Sequence, residues 1–531
     1  MPSARTTLPL IAIATLVTGF VAPSVSQAGA PWTITKQSWS NDDEKAFSEW
    51  VQKIGESRCN TVNKCLSGPA NYLASSEEKK SYSFVADCGR YPFLLRAYFA
   101  WKRGLPFSVV SKVASADGSD RDIRYSPNGN VPVERRDFLG ASDGEKAVKA
   151  AASAVFTAVY RMDPNLDSGG VGKPFPDFYS PKIDRDSIRP GTVMYDPSGH
   201  AAIVYKVEDN GQVRMTDAHP DSSVSYITYD KAFQRSRPGQ GAGFKNFRPL
   251  KAVDGRVVTV SNKNLSLFGL EQYYGNKPIA GSWSKGTFER SGQRLDYYDY
   301  VRASLSVGDL KYNPVDEVKK GVESLCEAIN YRAQSVQEAI DHGIHLKEHP
   351  SALPKNIYGT DGEWESFSTP SRDARLKVSF LDLRTSIEKY VGLYNARDPR
   401  IAYSGANLGR DLRDAYDQAA GACAVEYRRS DNSVVKLSFN DVVKRMYLLS
   451  FDPYHCPELR WGATHSNELA TCRDSQDKRA WFSAEQGLRN QTQRTYDARM
   501  DFSLNQLQQK VPGSGVDQAP DIDLRAYLES L

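Results

Sequence analysis

Residues 189–217 read RPGTVMYDPSGHAAIVYKVEDNGQVRMTD, and their pattern decides the architecture. Gly191 to Tyr195 reads as a strand, Pro197-Ser198-Gly199 as a turn, and His200 to Val207 as a second strand. Asn210-Gly211 is a strong hairpin signal, so Gln212 to Asp217 is the return strand. His200 thus starts a strand directly after a turn, which places its ring at a sheet end facing a cleft. With a two-residue turn, Asp209 faces Gln212 and His200 falls opposite Asp221. His219 is then diagonal to His200, and Asp217 lies one pair further along. All three share the His200 face because the strand period is two. Pro220 has no amide donor and tends to end a ladder, so pairing should fail before Asp221. A bulge near Ala218 would bring Asp217 closer. His219 and Asp217 are therefore the leading candidates to orient the His200 imidazole, with Asp221 behind them.

A base needs a nucleophile, and the cysteines supply one. There are seven: Cys59, Cys65, Cys88, Cys326, Cys423, Cys456 and Cys472. The N-terminus reads as an export signal over residues 1–28, with Arg5, the apolar run Leu8 to Val21 and the small residues Ser26 and Ala28 before the cut. The run is too short to span a membrane, and no later segment is long and apolar enough. The mature chain is expected to be periplasmic or secreted, where structural cysteines pair. An odd number leaves one over. Cys59 with Cys65 and Cys456 with Cys472 suit local loops, and Cys326 with Cys423 would tie two helical segments. Cys88 remains.

Cys88 stands in Asp87-Cys88-Gly89-Arg90-Tyr91-Pro92, ahead of Phe93, Leu94, Ala97, Tyr98 and Trp101 at helical spacing. Unpaired amides at a helix start favour an anion and can serve an oxyanion. A nearby imidazole would complete a thiolate–imidazolium pair. Asp87 reads as the helix cap. Tyr82 is a weaker candidate for an oxyanion contact and reads first as an ordinary strand aromatic.

Asp87-Cys88-Gly89 at a helix start resembles the Asp-Cys-Ser-Gly opening of NlpC/P60 cell-wall peptidases. Arg189-Pro190-Gly191 through Tyr195, then Gly199-His200 through Tyr205, is similar to the Pro-Gly-Asp and Gly-His-apolar blocks of NlpC/P60 and CHAP domains. Gly89 stands in place of the usual Ser, and Thr192 in place of the usual Asp. The resemblance covers two short blocks within the first 250 residues. It implies a papain-like fold with a small antiparallel sheet, and amidase or endopeptidase chemistry on peptidoglycan peptides. In CHAP domains an acidic residue or Asn follows on the return strand; in NlpC/P60 proteins the third catalytic residue is usually a His.

The remaining signals set limits. A net charge of +4, from 68 basic and 64 acidic residues, gives no support for a nucleic-acid partner. Apolar content of 40% and charged content of 25% suit a soluble globular chain. His342, His345 and His349 with Asp341 read as a solvated loop broken at Gly343 rather than as a metal site. Gly169, Gly170 and Gly172 lack the Lys-Ser/Thr that a phosphate loop needs. Trp364, Trp461 and Trp481 read as core residues before sugar-stacking ones.

The expectation is an α+β chain: a papain-like cysteine hydrolase domain over 29–250, a mainly α-helical domain over 251–511, and a loose tail over 512–531. Pro249 to Asn264 reads as a connector, and Asn313-Pro314 as the cap and first turn of a long helix. Cys88, His200, His219 and Asp217 are the site residues, with peptidoglycan or another peptide as substrate and no cofactor or metal. The alternatives are a catalytically inactive papain-like module that binds cell wall or protein, a protein-directed cysteine protease, and a transglutaminase-like acyltransferase.

Overall fold

Short β-rich runs between 178 and 247 assemble into one sheet. In this computed structural model the described residues are 30–119, 122–167, 173–280, 282–357, 362–493 and 498–531. The signal expected over 1–28 and the glycines 169, 170 and 172 lie outside them. A hairpin of β1 (Phe107–Ser115) and β2 (Asn130–Phe138) comes first. The main sheet has six antiparallel strands: β3 (Phe178–Tyr179), β4 (Val193–Asp196), β5 (His200–Val207), β6 (Val213–Ala218), β7 (Val224–Thr228) and β8 (Gly243–Phe247). Their spatial order is β3-β8-β4-β5-β6-β7. Residues 249–264, read as a connector, instead carry a further hairpin, β9 (Leu250–Val253) with β10 (Arg256–Thr259).

Two helices line one face of the sheet. Helix α1 (Asn41–Glu56) is capped by Ser40, whose side chain accepts from the Asp43 amide while Asp43 reaches back to the Ser40 amide in a reciprocal capping box. Helix α2 (Tyr91–Arg103) has Pro92 in its first turn and ends at Gly104, whose φ of 64° suits glycine. Alternation along β5 divides its side chains between two cores. Ala201, Ile203 and Tyr205 pack with Trp50, Phe93 and Phe99 from the helices. Ala202 and Val204 face a second core built with Phe288 and with Tyr300, Val301 and Leu305 of α3 (Tyr297–Leu305). A sheet has two faces to bury, so the sheet unit extends to about residue 305 rather than stopping at 250.

The helical half begins after the sheet unit, not at 251, and its first long helix starts where the sequence indicated. Helix α4 (Pro314–Asp341) is capped by the Asn313 side chain. It packs against α5 (Pro370–Asn395) and α6 (Leu408–Gly421) around Val322, Ile329, Phe380 and Leu412. Three short helices, Gln476–Ala484, Gln486–Asn490 and Leu504–Gln508, follow towards the C-terminus. The tail expected to be loose instead ends in α7 (Leu524–Glu529), whose Leu528 is fully buried in the helical core. The fold is thus mixed α+β, with small antiparallel sheets and a helical region. Disulfides join Cys59 to Cys65, Cys326 to Cys423 and Cys456 to Cys472. Among the described residues no helix is long and apolar enough to cross a membrane.

Candidate active site

Cys88 is the free cysteine and is part-buried in the turn that leads into α2. Asp87 holds that turn: its Oδ1 accepts from the Arg90 amide at 2.9 Å, and its carbonyl accepts from the Tyr91 amide at 2.9 Å. The Gly89 carbonyl accepts from the Tyr160 hydroxyl at 2.6 Å. A Cβ on Gly89 would come within 2.8 Å of Thr157 Cγ2, which accounts for glycine at this place. The thiol faces the start of β5, where the backbone amide of Ala201 favours its thiolate form.

His200 is the first residue of β5, and its side chain keeps 12% exposure. Its Nε2 lies 2.9 Å from Asp217 Oδ2. The approach is off the N–H axis, so the contact is close but not a linear hydrogen bond. With Nε2 turned to Asp217, Nδ1 is the ring nitrogen left to take a proton from a thiol. Among the described residues no hydrogen bond joins the Cys88 thiol to the imidazole.

The register removes Asp221 and, if continued, would set His219 opposite His200; the ladder ends first, and Asp217 reaches the ring from the diagonal position. Val207 pairs with Val213, one residue short of the expected register, and a bulge between Val204 and Lys206 moves the pairing one further, so that Ile203 faces Thr216. The bulge sits on β5, not near Ala218. A total slip of two residues preserves the face, so Asp217, His219 and Asp221 keep their side of the sheet while Asp221 moves away from His200. As Pro220 suggested, β6 ends at Ala218. Asp221 caps the following turn, with its Oδ1 accepting from the Ser223 amide at 2.9 Å and the Ser223 hydroxyl at 2.7 Å.

Asp217 sits between two imidazoles, and Ser225 also donates to it. Its carboxyl lies well below the usual carboxylate range: burial opposes this, but His219, His200 and the Ser225 hydroxyl outweigh it. His219 Nε2 is 3.8 Å from Asp217 Oδ1, and its ring stacks on Tyr331 of α4 at 3.6 Å between centroids. Burial pushes His219 down to about 4, against the pull of Asp217. His219 is thus a neutral flank of Asp217, and Asp217 is the group that contacts His200.

The electrostatics depart from a preformed thiolate. Burial pushes the Cys88 thiol up to about 12, and the Asp87 and Asp217 carboxylates push the same way, against the Ala201 amide and Arg375. Burial, then Arg375, holds His200 below its ordinary value. The resting pair is therefore a neutral thiol with a neutral imidazole. A half-turn of helix dipole at an exposed end, worth about 0.3–1 kcal/mol, does not offset desolvation plus two carboxylates.

Arg375, Arg372 and Tyr331 come from the helical half and were not singled out in the sequence. Tyr82 lies in the α2 core, its hydroxyl 3.1 Å from that of Tyr98. Tyr160 and Tyr195 are buried near the thiol; burial raises both hydroxyls, and Cys88 adds to each.

The histidines after 341 separate. His342 bonds the Glu338 carbonyl, but His349 is buried against Trp481 and not solvated. Its Nε2 is 2.7 Å from Asp452 Oδ2, and the ligand atoms of His349, Asp452 and Glu485 lie within 4.8 Å of one another. Burial and the neighbouring Asp452 push the Glu485 carboxyl well above the usual carboxylate range, against Arg489 at 3.7 Å and Arg460. Trp364, Trp461 and Trp481 are all buried.

No family model matches the chain, and no curated protein and no solved structure matches it.

Proposed function

We propose that the chain is an exported cysteine hydrolase with a papain-like catalytic domain that cleaves amide bonds, with peptidoglycan peptides as the substrate class. The observation that carries this reading is the meeting of three groups at one sheet end. They are the free thiol of Cys88 under the Ala201 amide, the His200 imidazole, and the Asp217 carboxylate 2.9 Å from it. Three disulfides and the apolar leader read in the sequence support export.

Because the resting thiol is neutral, the chemistry runs as general-base catalysis. Cys88 Sγ attacks the amide carbonyl as its proton passes to His200. The neutral, depressed imidazole is free to accept it, and Asp217 stabilises the imidazolium that forms. His200 then gives that proton to the leaving amine as the C–N bond breaks. Water, deprotonated by His200, attacks the thioester, which yields the acid and restores the thiol. Peptidoglycan as substrate follows from the resemblance to NlpC/P60 and CHAP domains, an argument by analogy.

A second reading is a catalytically inactive module, and one observation favours it: the thiol is pushed up to about 12 beneath the helical half. Incubation of the mature protein with purified peptidoglycan and with denatured casein, measuring new amino groups, decides between them. Cys88-dependent release from peptidoglycan is the expected result. Release from casein alone indicates a protein-directed protease, and none from either substrate leaves the binding module.

A further inference from the structure

A cavity of about 80 Å³ adjoins the site between the sheet and the helical half. That is several times the roughly 10–15 Å³ that admits one water, enough for a small polar substituent but not for a peptide. One wall is Asp217 and His219 with β7; the other is α4 with Tyr331 and α5 with Arg372 and Arg375.

The charges on this cavity are unevenly satisfied. Asp217 is engaged by His200, His219 and Ser225, and Glu327 by Arg58. The Asp230 carboxylate accepts from the Ala232 amide at 2.8 Å. Arg332 is neutralised by Asp373, with contacts of 2.8 and 3.1 Å. Arg372 differs: its hydrogen bond goes to the neutral hydroxyl of Ser335, its guanidinium lies 5.5 Å from the Tyr331 ring centre, and among the described residues it makes no ion pair. Arg375 follows at i+3 on the same face of α5. It lines the same cavity as Arg372, opposite Asp217 and His219.

We propose that this cavity is the subsite for a carboxylate-bearing substituent of the acyl substrate, bound by Arg372 and Arg375. The inference rests on the reading of Cys88 as the nucleophile. Guanidinium groups bind carboxylates in a planar, two-point manner that ammonium groups do not reproduce. Apolar neighbours such as Phe233, Leu325 and Leu376 lower the local dielectric and strengthen that contact. The site therefore selects a free carboxylate over its amide near the scissile bond. A protein assembled from a sheet domain and a helical domain would thus carry the nucleophile on one and substrate selection on the other.

The test compares two alkylating reagents of equal reach, N-iodoacetylglycine and N-iodoacetylglycinamide, with modification of Cys88 mapped by mass spectrometry. The urea-unfolded protein gives the reference ratio of their rates. The native protein is expected to favour the carboxylate reagent at least about tenfold over that reference. Arg372→Gln and Arg375→Gln should each return the ratio towards the reference. A change in thiol acidity in either variant slows both reagents together and cancels in the ratio. A native ratio equal to the reference, or one unchanged in both variants, overturns the proposal. If neither reagent modifies Cys88 even at pH 10, where thiolate accumulates, the thiol is inaccessible and the nucleophile reading fails by itself. Calorimetry with N-acetylglycine and its amide then decides the subsite. Saturable binding of the acid alone, lost in the arginine variants, upholds it; no binding overturns it.

Discussion

The rings of His219 and Tyr331 stack with centroids 3.6 Å apart and planes 21° from parallel. One residue closes the strand that carries Asp217, and the other lies on the long first helix of the helical half. The stack excludes water from His219, and its consequence is a pH dependence of stability.

Burial pushes both His219 and His455 down to about 4 in the folded protein, and lowers His200 and His345 as well. In the unfolded chain a histidine takes its proton near pH 6.5. Between these values the unfolded state holds more protons, so acid favours unfolding. The histidine contribution to stability is expected to be fully present above about pH 7 and to be lost between about 6.5 and 4, by up to roughly 1.4 kcal/mol per pH unit for each such histidine. Asp217, whose pKa is also lowered, adds its loss only below about pH 4. Urea unfolding from pH 4.5 to 7.5 measures the slope. His219→Gln should make it shallower.

Asp217→Asn should keep the fold and lower kcat by roughly 10²–10⁴, with little change in KM, because the imidazolium loses its partner only as it forms. Asp221→Asn should stay within about twofold of the native rate, since that carboxylate is occupied by Ser223. Steady-state kinetics on the substrate found active provide the comparison. Equal losses in both variants would contradict the assignment of Asp217.

Cys88 should react slowly with iodoacetamide at neutral pH, its rate rising about tenfold per unit between pH 8 and 10 as thiolate accumulates. Asp87→Asn keeps a capping side chain and removes the nearest negative charge. It should speed labelling at pH 8 by roughly two- to tenfold. Fast labelling of the native protein at pH 6 would show that the thiol is already ionised.

The three disulfides close loops of very different length. Cys326–Cys423 spans 97 residues, against 16 for Cys456–Cys472 and 6 for Cys59–Cys65. Loop entropy predicts losses of about 4–5, 3 and 2 kcal/mol respectively when each pair is changed to alanine. Denaturant unfolding of the three double variants tests the order, and the largest loss should fall on the helical half.

Much of this was legible in the sequence. The glycine after α2, the strand beginning at His200 and the long helix beginning at Pro314 are local events, set by turn chemistry and periodicity within a few residues. The odd cysteine follows from counting, and period-two alternation kept Asp217, His219 and Asp221 on one face whatever the register. The choice among those three was tertiary: a bulge in β5 and a longer turn slipped the pairing by two residues and removed Asp221, and the end of β6 at Ala218 let His219 stack on Tyr331, leaving Asp217 to meet His200. So were the extent of the sheet unit, which needed residues 282–305 to cover its second face, and the burial of the terminal helix. The protonation of Cys88 also could not be read locally. A helix start and a histidine favour a thiolate, but the balance is fixed by desolvation and by Asp217 and Arg375. Those groups are distant in sequence, and only the packing of the helical half against the sheet brings Arg375 to the thiol.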